Sequence, residues 1–206
     1  MLDTLRRTNQ EAIILFVSDH GDMLGERGLW FKMTFFEGSA RVPLMISAPG
    51  IKPRREATPV STIDVCPTLC DLAGVSMESI KPWTQGESLI PISSGVVRTS
   101  PVAMEYAAEA SYAPLVSLRS GKFKYNRCKL GPEQLFDLEN DQNEMNNLVG
   151  QPEHEETLSE FQKMADQKWN LDRFDEEVRR SQARRWVVYD ALRYGLYFPW
   201  DYQPLK

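Results

Sequence analysis

Histidine and cysteine are scarce in this chain of 206 residues, with two of the first and three of the second. Cys66, Cys70 and Cys128 cannot all pair and form no even disulfide framework, which points to a reducing, cytoplasmic setting. No apolar run reaches the roughly 18 to 20 residues of a membrane span. The opening residues 1–10 carry charges where a signal peptide needs its apolar region, so no membrane partner is expected. A basic excess is missing too: 24 Lys and Arg stand against 29 Asp and Glu, a net charge of −5, which argues against nucleic-acid binding. Internal repeats and low-complexity tracts are absent. What remains, 42% hydrophobic and 26% charged residues, is an ordinary globular balance, enough for one domain or a large piece of a bigger one.

The first apolar signal is Ile13-Ile14-Leu15-Phe16-Val17, the kind of run that a parallel-sheet strand buried on both faces requires. It follows the end of an amphipathic helix over residues 2–11 and stops at Ser18-Asp19-His20-Gly21-Asp22. Val42 to Ser47 reads as a second strand, and Asp64 as the cap of a helix reaching Leu72, with Pro67 in its first turn and Gly74 as its stop. Residues 81–100 are rich in Pro, Gly and Ser and read as a boundary. Val102–Tyr106, Leu115–Arg119 and Lys122–Cys128 alternate as strands, the last two joined by a Ser120-Gly121 turn. The final third is helical: Leu158, Phe161, Ala165 and Trp169 share one face, and Asp172 would cap a longer helix ending at Gly195. Phe174, Val178, Trp186, Tyr189 and Leu192 fall near one stripe of that helix, and an aromatic tail follows it.

Chemistry concentrates where the first strand ends. In open α/β sheets the ligand crevice lies beyond the carboxyl ends of the strands. There Asp19 and His20 can turn toward one cation, and Gly21 permits the sharp turn after them. An Asp after a strand is also commonly a mere turn former. Lys32 would offset charge on a transferred sulfate or phosphate group together with a cation, although a surface lysine is the commoner case. Glu37 and Arg41 are spaced as an ordinary i,i+4 pair, and His154 reads as a solvated surface residue.

The segment Phe16-Val17-Ser18-Asp19-His20-Gly21-Asp22-Met23-Leu24-Gly25-Glu26, with Lys32, Phe36-Glu37 and Arg41-Val42-Pro43-Leu44, resembles the C-terminal half of the sulfatase family, within the alkaline-phosphatase-like superfamily. The resemblance runs on through residues 64–74 and through Gln134-Leu135-Phe136-Asp137, Glu144 and Asn147-Leu148. Glu105-Tyr106-Ala107-Ala108-Glu109, Ser181-Gln182-Ala183-Arg184-Arg185 and Trp200-Asp201-Tyr202-Gln203-Pro204 narrow it to the choline-sulfatase branch.

That resemblance implies an α/β fold, the C-terminal part of an alkaline-phosphatase-like architecture, in which parallel-sheet strands precede a small antiparallel sheet and C-terminal helices. It divides the chain into 1–95 (catalytic α/β part), 96–150 (antiparallel-sheet part) and 151–206 (helical extension and tail). It implies a sulfuric ester hydrolase acting on a small-molecule sulfate ester, choline sulfate first, with a homo-oligomer at full length. Asp19 and His20 match metal ligands, and Lys32 the catalytic lysine that contacts sulfate. The cation is calcium first, with manganese or magnesium as alternatives, since an imidazole ligand leans away from all-oxygen calcium sites. The family's nucleophile is a formylglycine made in a Cys-x-Pro-x-Arg motif, and none of the three cysteines here sits in one. The nucleophile is therefore expected in an N-terminal half, and the chain alone is expected to be inactive. A quaternary ammonium would be held by aromatic faces and carboxylates. Candidates are Trp30, Tyr106, Trp200 and Tyr202, with Glu105, Glu109 and Asp201. The rival readings are a phosphate or phosphonate ester hydrolase of the same superfamily and a non-catalytic fragment acting only in assembly.

Overall fold

A computed structural model describes residues 2–8, 11–109 and 111–193. The first part contains α1 (Leu2–Thr8), β1 (Ile14–Val17), a hairpin of β2 (Met23–Leu24) and β3 (Trp30–Phe31), the one-turn α2 (Glu37–Ala40) and β4 (Leu44–Ser47). Three short helices follow: α3 (Val65–Leu72), α4 (Met77–Ile80) and α5 (Ile90–Ser93). The chain then forms β5 (Val102–Tyr106), β6 (Leu115–Ser120), β7 (Phe123–Cys128) and β8 (Gln134–Asp137), and ends its described course in α6 (Glu155–Lys168) and α7 (Leu171–Arg193).

The strands β5-β6-β7-β8 form an antiparallel meander. Its first three strands match the alternation seen in the sequence; β8 is an addition. The turn between β6 and β7 is shifted by one residue from expectation. Ser120 still pairs with Phe123, so Gly121 and Lys122 make the turn, and Gly121 takes the left-handed φ of 52° that the tight connection requires. One face of the sheet packs on α6 through a core of Leu118, Tyr125, Leu135, Phe161 and Ala165.

The first two strands depart from expectation. β1 and β4 pair with each other, and the pairing is antiparallel, with Ile14 opposite Ser47 and Val17 opposite Leu44. An unbroken apolar run signals burial, and it carries no information on the direction of the neighbouring strand. Burial of this ladder among the described residues is itself partial: Phe16 is 54% and its partner Met45 59% exposed.

Between ladder and meander, Ser61 and Asp64 form a reciprocal capping box that opens the turn leading into α3. Asp64 is fully buried, accepts the Glu87 backbone N–H at 2.9 Å and pairs with Arg98 at 2.5 Å, which compensates its charge. Pro67 sits in the first turn of α3, where its missing N–H costs nothing. Further on, Asn170 caps α7, accepting the Arg173 N–H at 2.9 Å; the expected cap, Asp172, already lies inside the helix and pairs with Lys129. No residue of α7 is buried, and Trp186, Tyr189 and Leu192 face solvent. Gly195 and the aromatic tail lie outside the described residues.

Candidate active-site segment

Asp19 and His20 lie where β1 ends, in the turn before β2. The turn is closely packed. A Cβ on Gly21 would stand 2.2 Å from the carbonyl oxygen of Gly38, so only glycine lets the segment approach α2 this closely. The approach is used: the Gly21 N–H donates to the Ser39 carbonyl at 2.8 Å.

The His20 ring has a defined role for each nitrogen. Nδ1 lies 2.8 Å from the Gly21 carbonyl, which can only accept, so Nδ1 carries the proton. Nε2 is left with its lone pair. Toward that lone pair point two groups: the Asp19 carboxylate, with Oδ2 at 3.5 Å, and the Lys32 ammonium, with Nζ at 3.2 Å. A backbone carbonyl holding the distal N–H of an imidazole is the usual way a ligating histidine is oriented. The Asp19 carboxyl is held below its ordinary pKa, first by the hydrogen bond from the His20 backbone N–H, against the opposing effect of burial, and in smaller part by the nearby Lys32 ammonium. It is therefore an anion at neutral pH.

Lys32 reaches this place through an unusual backbone. The β2–β3 hairpin brings the chain back, and Phe31 adopts φ 71°, a region costly for an aromatic residue, by about 1 to 3 kcal/mol. The Lys32 carbonyl is then fixed by the Ser39 hydroxyl at 2.6 Å. Strain of this kind persists only where surrounding contacts enforce it.

These contacts come from across the chain. Lys124 on β7 is fully buried; its Nζ donates to the Phe35 carbonyl at 2.7 Å and pairs with Glu37 at 2.9 Å and Glu144 at 2.5 Å. Glu144, 2% exposed, also accepts the backbone N–H of Glu37, the first residue of α2, at 2.7 Å. Burial pushes the Glu144 carboxyl up, against the opposing pull of Lys124. Arg27 lies 4.2 Å from the Phe36 ring centre and donates to the Asn143 carbonyl at 3.1 Å. Ser39 and Lys124 were not picked from the sequence, and Glu144 was named there only as part of the resemblance, with no role; their sequence separation leaves no local signal of this contact.

The donor set can be tested against a divalent cation. Neighbouring ligand atoms on such a cation sit about 3 Å apart, so the carboxylate and Nε2 need little movement to share one. They supply two ligands. Among the described residues no group of three or more His, Cys, Asp or Glu side chains gathers, so further ligands would come from elsewhere.

The other predicted site residues lie on the meander side. The Glu105 carboxylate accepts the Trp169 indole N–H at 2.6 Å, and the Tyr106 hydroxyl donates to the Glu109 carbonyl at 2.7 Å. Among the described residues no hydrogen bond or ion pair links them to Asp19, His20 or Lys32. Trp30 is 62% exposed on β3. Trp200, Asp201 and Tyr202 lie outside the described residues.

Known proteins resemble this chain over most of its length. Residues 25–170 match the family described as N-sulphoglucosamine sulphohydrolase, C-terminal, and residues 176–206 match the choline sulfatase enzyme C terminal. The chain is 61% identical to the choline-sulfatase of Rhizobium meliloti (strain 1021), over all of this chain and 41% of that protein. It is 38% identical to arylsulfatase K of Danio rerio over 68% of this chain and 28% of that one. Among solved structures, a putative sulfatase from Bacteroides thetaiotaomicron superposes with a TM-score of 0.63 at 30% identity, covering 75% of this chain and 35% of that one. The phosphonate monoester hydrolase of Agrobacterium radiobacter superposes with a TM-score of 0.60 at 26% identity, covering 79% and 36%. The chain thus spans about two fifths or less of the length of these relatives.

Proposed function

Because the chain belongs to the sulfatase family, we propose that it supplies the cation- and sulfate-holding part of a sulfuric ester hydrolase whose substrate is choline sulfate. The observation that carries this reading is the meeting of Asp19, His20 and Lys32 around one imidazole lone pair. The 61% identity to a choline-sulfatase supports the choice of alcohol.

In this reading Asp19 and the Nε2 of His20 are two ligands of a divalent cation, calcium first, with manganese or magnesium as alternatives. When bound, the cation acts as a Lewis acid on the sulfate ester. Lys32 donates to the sulfate oxygens and balances the negative charge they carry, while the electron pair of the breaking S–O bond goes to the leaving alcohol oxygen. Gly21, through its carbonyl, keeps the His20 proton on Nδ1, so that Nε2 could ligate a cation once Lys32, now 3.2 Å from it, turned to the sulfate. Nucleophilic attack needs a group this chain does not carry in a Cys-x-Pro-x-Arg motif, so the chain alone is inactive and turnover needs a nucleophile-bearing portion. Glu105, Tyr106 and Glu109, with Trp200 and Asp201 of the tail, are candidates for holding the quaternary ammonium. A division at residues 95 and 150, a homo-oligomer at full length and a cytoplasmic setting complete the proposal. No helix of the described residues is long and apolar enough to cross a membrane, and Cys66, Cys70 and Cys128 are free thiols.

A second reading, hydrolysis of a phosphate or phosphonate ester, is favoured by the superposition on the phosphonate monoester hydrolase. One experiment separates the readings. The chain is co-expressed with the preceding portion of a choline-sulfatase, and choline sulfate is compared with a phosphonate monoester. Choline release by the pair, none by the chain alone, and a loss of about 100-fold in kcat on Lys32→Ala are expected. Preference for the phosphonate overturns the sulfate reading; an inactive but stable pair points to a role in assembly only.

A further inference from the structure

Two titratable side chains far from the candidate site in sequence, Lys124 and Glu144, meet Glu37 of the site's own segment in one place. Lys124 has no exposed surface, Glu144 is 2% exposed, and Glu37 closes the trio. A buried ion group of this kind is weak evidence for stability, because desolvation offsets most of the attraction, so its geometry is the better guide to its use. The geometry is directional. Apart from their ion pairs, the side chains of Lys124 and Glu144 bond to the backbone of segment 35–37: Lys124 donates to the Phe35 carbonyl, and Glu144 accepts the Glu37 N–H. Two residues on, Ser39 is 3% exposed and holds both arms of the candidate site. Its carbonyl accepts from Gly21, next to His20, and its hydroxyl donates to the carbonyl of Lys32.

We infer that Lys124 and Glu144 are positioning residues. They clamp the one-turn α2, and α2, through Ser39, sets the distance between Lys32 and the Asp19–His20 pair. The inference rests on the proposed function only for what the site does with that distance; the clamp itself is a matter of geometry. The contact it controls is the 3.2 Å approach of Lys32 Nζ to His20 Nε2. Phe31, at φ 71°, would relax without such enforcement and carry Lys32 away.

The chain has only two histidines, so the ring signals of His20 and His154 can be told apart by NMR in the 206-residue chain. Two readouts are taken: the Overhauser contact between the His20 ring and the Lys32 side chain, and the selective broadening of His20 over His154 by manganese alone. Ser39→Ala removes the hydroxyl that holds the Lys32 carbonyl and leaves the trio and the backbone bond to Gly21 intact; Glu144→Ala removes the clamp. Retention of the Tyr125–Phe161 contact reports that the sheet core is intact. Both variants are expected to lose the His20–Lys32 contact and to need roughly tenfold more manganese for the same broadening, with the core contact retained. A folded variant that keeps both readouts overturns the inference. Should Glu144→Ala fail to fold, Ser39→Ala alone decides. If manganese does not broaden His20 in the unaltered chain, the metal reading fails, and the Overhauser contact alone decides whether the clamp exists.

Discussion

The meander with α6 and the β1–β4 ladder with its following segment are held together by different forces. In the first, Leu118, Tyr125, Leu135, Phe161 and Ala165 are each at most 3% exposed, and cross-strand neighbours and a helix seal them from water. In the second, Ile13, Phe16 and Met45 are between 41% and 59% exposed, and the segment from Asp19 to Ala40, which buries Met23 and Phe35, is fixed by directional polar contacts as well. Ser39, Glu37, Glu144 and Lys124 make those contacts. Apolar burial is non-directional and tolerates small displacements, whereas hydrogen bonds weaken steeply with angle and distance. A scaffold can rest on the former. A lysine that must sit 3.2 Å from an imidazole needs the latter.

The contrast can be broken most forcefully at Phe161. It is 3% exposed and lies 6.0 Å, centre to centre, from the Tyr125 ring. Phe161→Ala should cost about 3 to 5 kcal/mol, the range for emptying a packed aromatic site. In a chain of this size that lowers Tm by roughly 6 to 20 °C. A calorimetric loss below about 1 kcal/mol would mean the α6 contact is loose and the sheet is not the sealed region.

Asp137, at the end of β8, offers an intermediate test. Burial pushes its carboxyl up, but hydrogen bonds from the Lys122 ammonium, from Asn140 and from the Glu139 backbone outweigh this and bring it down to about 2. A folded pKa below the unfolded one means the contribution is complete above roughly pH 4 and is lost as pH falls toward the folded value. Lys122 is 42% exposed, so screening reduces the effect to about 1 kcal/mol. Urea melts at pH 5 and pH 2.5 should therefore differ more for the unaltered chain than for Asp137→Asn, by that amount. Equal differences would show that this corner of the sheet owes little to its charges.

Legibility from sequence follows the same divide. The strands β5, β6 and β7 were readable because each alternates along its own length, and the α6 face because its residues recur at helical spacing. β8 is four residues long, too short for a pattern to stand out. The direction of the β1–β4 pairing was not readable, since an apolar run looks the same in either orientation. Within the site, Asp19, His20 and Lys32 were named from adjacency and resemblance, and the geometry brings them together. Glu37 and Glu144 were named within the resemblance, but their contact behind the site was not readable, because nothing in the sequence marks Lys124 as buried. Its partners lie 87 and 20 residues away, beyond any local spacing rule.

The smallest expected effect bears most directly on the ladder. Phe16 stands opposite Met45, and both are more than half exposed, so replacing the ring removes little buried area. What remains is one cross-strand pair, of the order of 0.2 to 1 kcal/mol. Phe16→Ser should therefore lower Tm of the 206-residue chain by no more than about 4 °C. A loss comparable with that of Phe161→Ala would reveal a sealed core beneath β1 and remove the contrast. The same substitution in the co-expressed pair sharpens it. If the nucleophile-bearing portion covers this face, Phe16 becomes a core residue there and its removal costs about 2 kcal/mol or more. An unchanged small cost in the pair would place that portion on another side of the ladder.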